Sequence, residues 1–115
     1  MKYCNNFEYD LKIGQIKEKE LGYILNNKTI EVKTDLQASK TRRVFVEYES
    51  RGKPSGISKT KADYYCFVVS EFSYIIIKTT ALKNKCRKYL KTYLDKKGGD
   101  NNTSKGILLP LVELL

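Results

Sequence analysis

Histidine is absent from this chain, which removes the commonest metal ligand at once. Cysteine is scarce. Cys4, Cys66 and Cys86 lie far apart and form no C-x-x-C pair. A Cys/His zinc site would have at most three thiolates here, so none is expected. An odd cysteine number in a lysine-rich chain fits a reducing cytosol better than a disulfide framework. Long apolar runs are missing too: runs such as residues 75–77 and 107–112 fall far short of a bilayer span. Residues 1–10 are polar and lack the apolar segment of a signal peptide. The expected location is therefore the cytoplasm, or the host cytoplasm if the chain is phage-encoded, with no membrane partner. There is no internal repeat and no long low-complexity tract.

Acidic residues are in deficit. Thirteen Asp and Glu face 22 Lys and Arg, leaving +9 on 115 residues and a pI near 9.4. That balance favours an anionic partner, nucleic acid first and an acidic membrane surface second. With 41% apolar and 30% charged residues the chain reads as one globular domain over residues 1–115, with a thin core.

Periodicity assigns the elements. Residues 1–10 read as a lead-in. Leu11, Ile13, Ile16, Leu21, Ile24 and Leu25 predict a helix over 11–25, capped by Asp10 and stopped at Asn26-Asn27. Residues 29–35 alternate, with Ile30 and Val32 on one face and Glu31, Lys33 and Asp35 on the other, a strand. Residues 36–42 read as a loop. Residues 43–49 alternate again, with Val44, Val46 and Tyr48 opposite Phe45, Glu47 and Glu49, and an antiparallel hairpin with the first strand is expected. Gly52, Pro54 and Gly56 mark a loop over 50–58, with one helical turn at 58–63. Strands follow at 64–69 and 74–79, with a turn at 71–73. Leu82, Cys86, Tyr89, Leu90, Tyr93 and Leu94 predict a helix over 80–97, closed by Gly98. A loop and a short apolar segment at 107–112 end the chain. The expected class is α/β or α+β, a sheet with helices packed on it.

The informative feature is acidic. In a symmetric hairpin Glu31 faces Glu47, with Glu49 near, and like charges so placed repel by roughly 0.2–1 kcal/mol. A divalent cation offsets that repulsion, since Mg²⁺ is commonly held by one or two carboxylates plus waters. Lys33 beside them can stabilise charge developing on a phosphate. Taken alone, a lone E-x-K is a weak signal, and a solvated sheet face accounts for it as well. Glu18 or Glu20 of the first helix can add a carboxylate.

The run YDLKIGQIKEKELGYIL, TIEVKTD and VFVEYESRGKPSGISKTKADYYCFVV resembles the PD-(D/E)XK nuclease superfamily, in particular its small phage-type members, over about residues 7–70; GGDNNTSKG extends it. The resemblance implies a restriction-endonuclease-like mixed sheet flanked by helices. It implies a helix Glu, a strand Asp and an E-x-K that bind one or two Mg²⁺, with Mn²⁺ as a substitute, and hydrolyse DNA phosphodiesters, on branched or phage DNA in the manner of a Holliday-junction resolvase. Glu18 matches the helix Glu, and Glu31 and Lys33 match the E-x-K. The strand Asp has no direct match. Either Asp35 or Glu47 replaces it, or Glu31 takes its role and Glu47-Tyr48-Glu49 forms the second half-motif. The expected catalytic set is Glu18, Glu31, Lys33, Glu47 and Glu49, and the expected metal ligands are Glu31, Asp35 and Glu47.

Lys40, Arg42, Arg43, Arg51, Lys53, Ser55, Lys59 and Lys61 flank that cluster and are the expected DNA contacts. Two-strand cutting generally needs two sites, so a homodimer is expected. The alternatives are a non-catalytic nucleic-acid-binding protein on the same fold and a protein-interaction module.

Overall fold

The computed structural model describes the backbone of residues 2–115 and the side chains of residues 8–99 and 101–115. Cys4, singled out above, lies outside the described side chains. The elements run α1 (Lys2–Asn27), β1 (Ile30–Thr34), α2 (Ala38–Thr41), β2 (Arg43–Ser50), β3 (Lys53–Pro54), β4 (Tyr64–Ser70), β5 (Ser73–Lys78), α3 (Thr79–Arg87), β6 (Asp95–Gly98) and β7 (Ser104–Pro110). Single 3-10 turns cover Gly56–Ser58, Asp100–Asn102 and Leu111–Leu114. The class is mixed α/β with two open sheets in a small domain. One sheet has the order β1-β4-β5 and the other β3-β2-β7-β6. No described helix is long and apolar enough to cross a membrane.

The expected β1–β2 hairpin does not form. β1 pairs in parallel with β4, Ile30 beside Tyr64 and Thr34 beside Val68, while β2 pairs with β7 in the other sheet. A reciprocal clamp sets the β1–β4 register. Asp63 accepts from the Thr29 backbone N–H and hydroxyl, and the Asp63 N–H donates back to the Thr29 hydroxyl. These hydrogen bonds from Thr29, with the nearby Lys28, hold the Asp63 carboxyl below its ordinary value. Closeness in sequence permits a hairpin, but β2 finds a longer apolar partner in β7.

Each sheet turns one face to a shared core. Tyr65, Phe67 and Val69 come from β4, Val44 and Val46 from β2, and Ile107 and Leu109 from β7; Leu82 and Cys86 of α3 fill the space between. Phe45, on the opposite face of β2, packs over β7 at Gly106. A Cβ at Gly106 would lie 2.5 Å from the Phe45 ring and 2.7 Å from the Val46 carbonyl oxygen, so only glycine fits there.

The helix expected over 80–97 is shorter than its apolar spacing predicts. α3 stops at Arg87, and the chain turns through Lys91, which has a left-handed φ of 62°. Thr92 donates to the Tyr89 carbonyl, and Asp95 accepts from the Lys91 N–H. That frees residues 95–98 to join β7 as β6, and the segment at 107–112 becomes the inner strand β7 instead of a terminal tail. The loop over 50–58 contains a tight hairpin in which Arg51 and Gly52 both take positive φ, the geometry that fits strand twist. Its helical turn lies at Gly56–Ser58, not at 58–63. The loop over 36–42 holds α2.

α1 begins well before the expected residue 11, so residues 2–10 are not a lead-in and Asp10 is not its cap. It ends where expected, with the Asn26 and Asn27 side chains donating to the Gly22 and Tyr23 carbonyls. Of its described side chains only Ile24 is buried. A helix of 26 residues is about 39 Å long, and it stretches the molecule to 59 × 29 × 27 Å. The radius of gyration is 17.0 Å, against about 13 Å for a compact chain of this size.

Candidate functional site

β1 is an edge strand, and the parallel register places Glu31 beside Tyr65 and Lys33 beside Phe67. Tyr65 and Phe67 belong to the core, so Glu31 and Lys33 share the core-facing side of the sheet at its rim. The Lys33 Nζ lies 3.8 Å from the Glu31 carboxylate, and the Thr60 hydroxyl donates to the same carboxylate at 3.4 Å. Both side chains remain partly open to solvent. The Tyr65 hydroxyl is buried against Thr60 and Glu31 yet closes no well-formed hydrogen bond. Burial pushes its pKa up, and the neighbouring Glu31 charge adds to that.

The other acidic residues do not join this group. Along β2, Val44 and Val46 face the core, so Glu47 points to the outer face of the second sheet. Its partner in the register is Gly106, not Glu31, and it accepts a hydrogen bond from the Ser55 hydroxyl at 2.9 Å. A bulge after Glu47 redirects the strand, and Glu49 pairs with Lys105 at 3.6 Å. Asp35 accepts from the Gln37 N–H and opens the turn into α2. Glu18 is exposed on α1. Among the described residues, no three acidic or thiol side chains gather as a metal cage would need. The Glu31–Glu47 juxtaposition expected from a symmetric hairpin is corrected with the hairpin itself, because parity and pairing send the two carboxylates to different sheets. What remains is one carboxylate, two hydroxyls and an ammonium. That set fits a water-rich Mg²⁺ site with a single protein carboxylate; it does not fit the multi-carboxylate cluster that the resemblance implies.

The expected DNA contacts are exposed, with one exception. Lys40, Arg42 and Arg43 sit at the start of β2, and Arg51 and Lys53 at its far end, while Lys59 and Lys61 flank Thr60, whose hydroxyl reaches Glu31. β2 runs eight residues, so the two groups are about 27 Å apart at strand rise. Ser55 is half-buried and committed to Glu47. Among the described residues, none of these seven cations forms an ion pair.

Two polar networks escaped the sequence reading. Glu113, in the C-terminal 3-10 turn, binds Lys88 at 2.7 Å, accepts from the Tyr89 hydroxyl and lies 3.9 Å from Lys85. Lys88 first, then Tyr89, holds the Glu113 carboxyl below its ordinary value. Tyr48 donates to Asp95 at 2.7 Å, and burial together with that carboxylate pushes the phenol up to about 12. Neither network has a local sequence signal, since the partners of each lie 24 and 47 residues apart. No family model matches this chain, and neither a curated protein nor a solved structure matches it.

Proposed function

We propose that this domain binds nucleic acid, with DNA as its partner, through exposed cations on its loops. The carrying observation is that Lys40, Arg42, Arg43, Arg51, Lys53, Lys59 and Lys61 are exposed and without an ion pair among the described residues, on a chain of net charge +9. Among the described residues only Lys17, Lys33, Lys85, Lys88 and Lys105 are matched by carboxylates. Unmatched cations release condensed counterions when they meet phosphates, and that release drives binding. Fluorescence anisotropy with labelled duplex DNA between about 50 and 200 mM salt tests this; each phosphate contact adds roughly 0.9 to the slope of log K against log salt. Absence of binding at the low-salt end ends the proposal.

A second reading, Mg²⁺-dependent hydrolysis of DNA, is favoured by the Glu31–Lys33 contact beside the unsatisfied Tyr65 hydroxyl. It draws further support from the resemblance to restriction-endonuclease-like proteins and from the mixed three-stranded sheet that carries the E-x-K strand. Mg²⁺, or Mn²⁺ in its place, would supply an activated water and charge neutralisation at the scissile phosphate. Glu31 would hold the cation, with the Thr60 hydroxyl beside it, while Lys33 would meet the charge developing on the phosphate. Glu18, Asp35, Glu47 and Glu49 have no part in this geometry. The test is a cleavage assay on linear, single-stranded and four-way-junction DNA. Activity that needs Mg²⁺, disappears in EDTA and disappears in Glu31→Ala supports it. DNA that is bound but never cut leaves the binding function standing alone. Light scattering of the same samples tests the homodimer that two-strand cutting calls for.

A further inference from the structure

α3 carries its cations on two sides with opposite fates. Lys85 and Lys88 lean on Glu113, which neutralises them. Lys83 and Arg87, one helical turn apart, have no carboxylate among the described residues; Arg87 donates only to the neighbouring Asn84 side chain. The helix dipole favours cations in the last turn of α3 generally, but it does not select this side. What distinguishes this side is a cleft of about 300 Å³ between α3 and the inner face of the second sheet, which Lys83 and Arg87 border. Its apolar lining comes from Ile57, Cys86, Leu90 and Ile107. Leu90 is 45% exposed there, a large apolar side chain left open next to paired positive charges. The Cys86 thiol is pushed up to about 12 by burial, so it stays neutral and presents a polarisable sulfur.

Tyr48 joins this cleft to a second hollow of about 230 Å³, lined by Asp95, Lys96, Lys97 and Lys105 as well. Asp95 is engaged by Tyr48 and by the backbone N–H of Lys91. The two hollows share Tyr48, with Lys83 and Arg87 and an apolar slot to one side of its ring and Lys96 and Lys97, beside Asp95, to the other. This is the alternation of a single-stranded nucleic acid, where flat, largely apolar bases follow charged phosphates at each step. The slot is at the small end of the range for small-molecule sites. It has no counterpart suited to a duplex, whose bases are stacked and out of reach.

We propose that the cleft between α3 and the second sheet receives one unstacked base of a DNA single strand, with Lys83 and Arg87 on one flanking phosphate and Lys97 on the next. The inference rests on the nucleic-acid reading above and adds to it a strand preference and a site that none of the loop cations provides.

The test compares wild type, Lys83→Ala/Arg87→Ala and Arg51→Ala/Lys53→Ala for binding to labelled oligodeoxythymidylate and to duplex DNA. The cleft variant is expected to lose on the order of tenfold in single-strand affinity and about 0.7 in the salt slope, the value of one phosphate contact, with duplex binding little changed. The loop variant is expected to weaken both. Leu90→Glu, at a partly exposed position that does not threaten folding, is expected to weaken single-strand binding without moving the melting temperature. Thymidine monophosphate should displace the oligonucleotide more effectively than inorganic phosphate. Unchanged single-strand binding in the cleft variant, or equal competition by the two small anions, overturns the cleft while the loop variant's losses keep the nucleic-acid reading. A wild-type protein that binds neither DNA overturns both.

Discussion

α1 and the two-sheet body are built on opposite terms. The body is held by tertiary contact: Leu109 and Leu82 are fully buried, and Val44 and Ile107 are 1% exposed. α1 is held almost wholly by its own backbone hydrogen bonds. Tyr9, Ile16 and Tyr23 are all more than half exposed, and Ile24 is the single buried side chain among those described. An isolated helix gains little from propensity alone in water. The contrast teaches that stability resides in the sheets and α3, and that α1 is an appendage joined at its C-terminal turn.

The largest test of that division is Leu109→Ala. Truncating a fully buried leucine should cost about 2–5 kcal/mol, read by denaturant unfolding; a loss below about 1 kcal/mol would break the claim that the core holds the body together. Next comes Gly106→Ala, which forces a methyl into the Phe45 ring and the Val46 carbonyl and should cost about 1–3 kcal/mol.

Glu113→Gln should act less strongly, and its effect depends on pH. The Glu113 carboxyl is lowered in the folded state relative to its ordinary 4.5. Its stabilisation is therefore complete above that ordinary value and disappears as pH falls through the lowered folded value. The variant should be less stable at neutral pH and should lose this acid-side slope; melting curves at several pH values check it, and a slope identical to wild type would remove Glu113 from the account. The smallest effect belongs to Ile16→Ala on α1, expected within about 0.5 kcal/mol of wild type. A loss comparable to that of Leu109→Ala would mean that α1 is packed against something in solution, and the comparison would have to be redrawn.

Sequence periodicity served best where pattern and partner coincide. β4 and β5 were legible because residues 64–69 form an apolar run of strand character and the turn expected at 71–73 falls where Glu71-Phe72 joins the strands. β1 was legible as a strand but not in its pairing, since its partner lies beyond two intervening strands and is selected by the Thr29–Asp63 clamp. Residues 89–94 keep helical spacing yet form a turn, because Asp95 and Thr92 offer the backbone alternatives to a helix. β6, with the sequence Asp-Lys-Lys-Gly, has no strand signal and exists because β7 has a free edge. The candidate site suffered most from the pairing error. Glu31 and Lys33 stayed together because they share one strand face, whereas the approach of Glu47 depended entirely on which strand lay next door. The cleft beside α3 could not be read at all, since its walls come from four separate stretches of chain.

The two open sheets leave four strands with an unpaired side: β1, β5, β3 and β6. Every one of them carries lysine: Lys33, Lys78, Lys53, and Lys96 with Lys97; β3 adds Pro54. Lysine and proline on such margins discourage another chain from zipping on and spreading into aggregates. Part of the positive charge thus has a second occupation, keeping concentrated protein dispersed when no partner is bound.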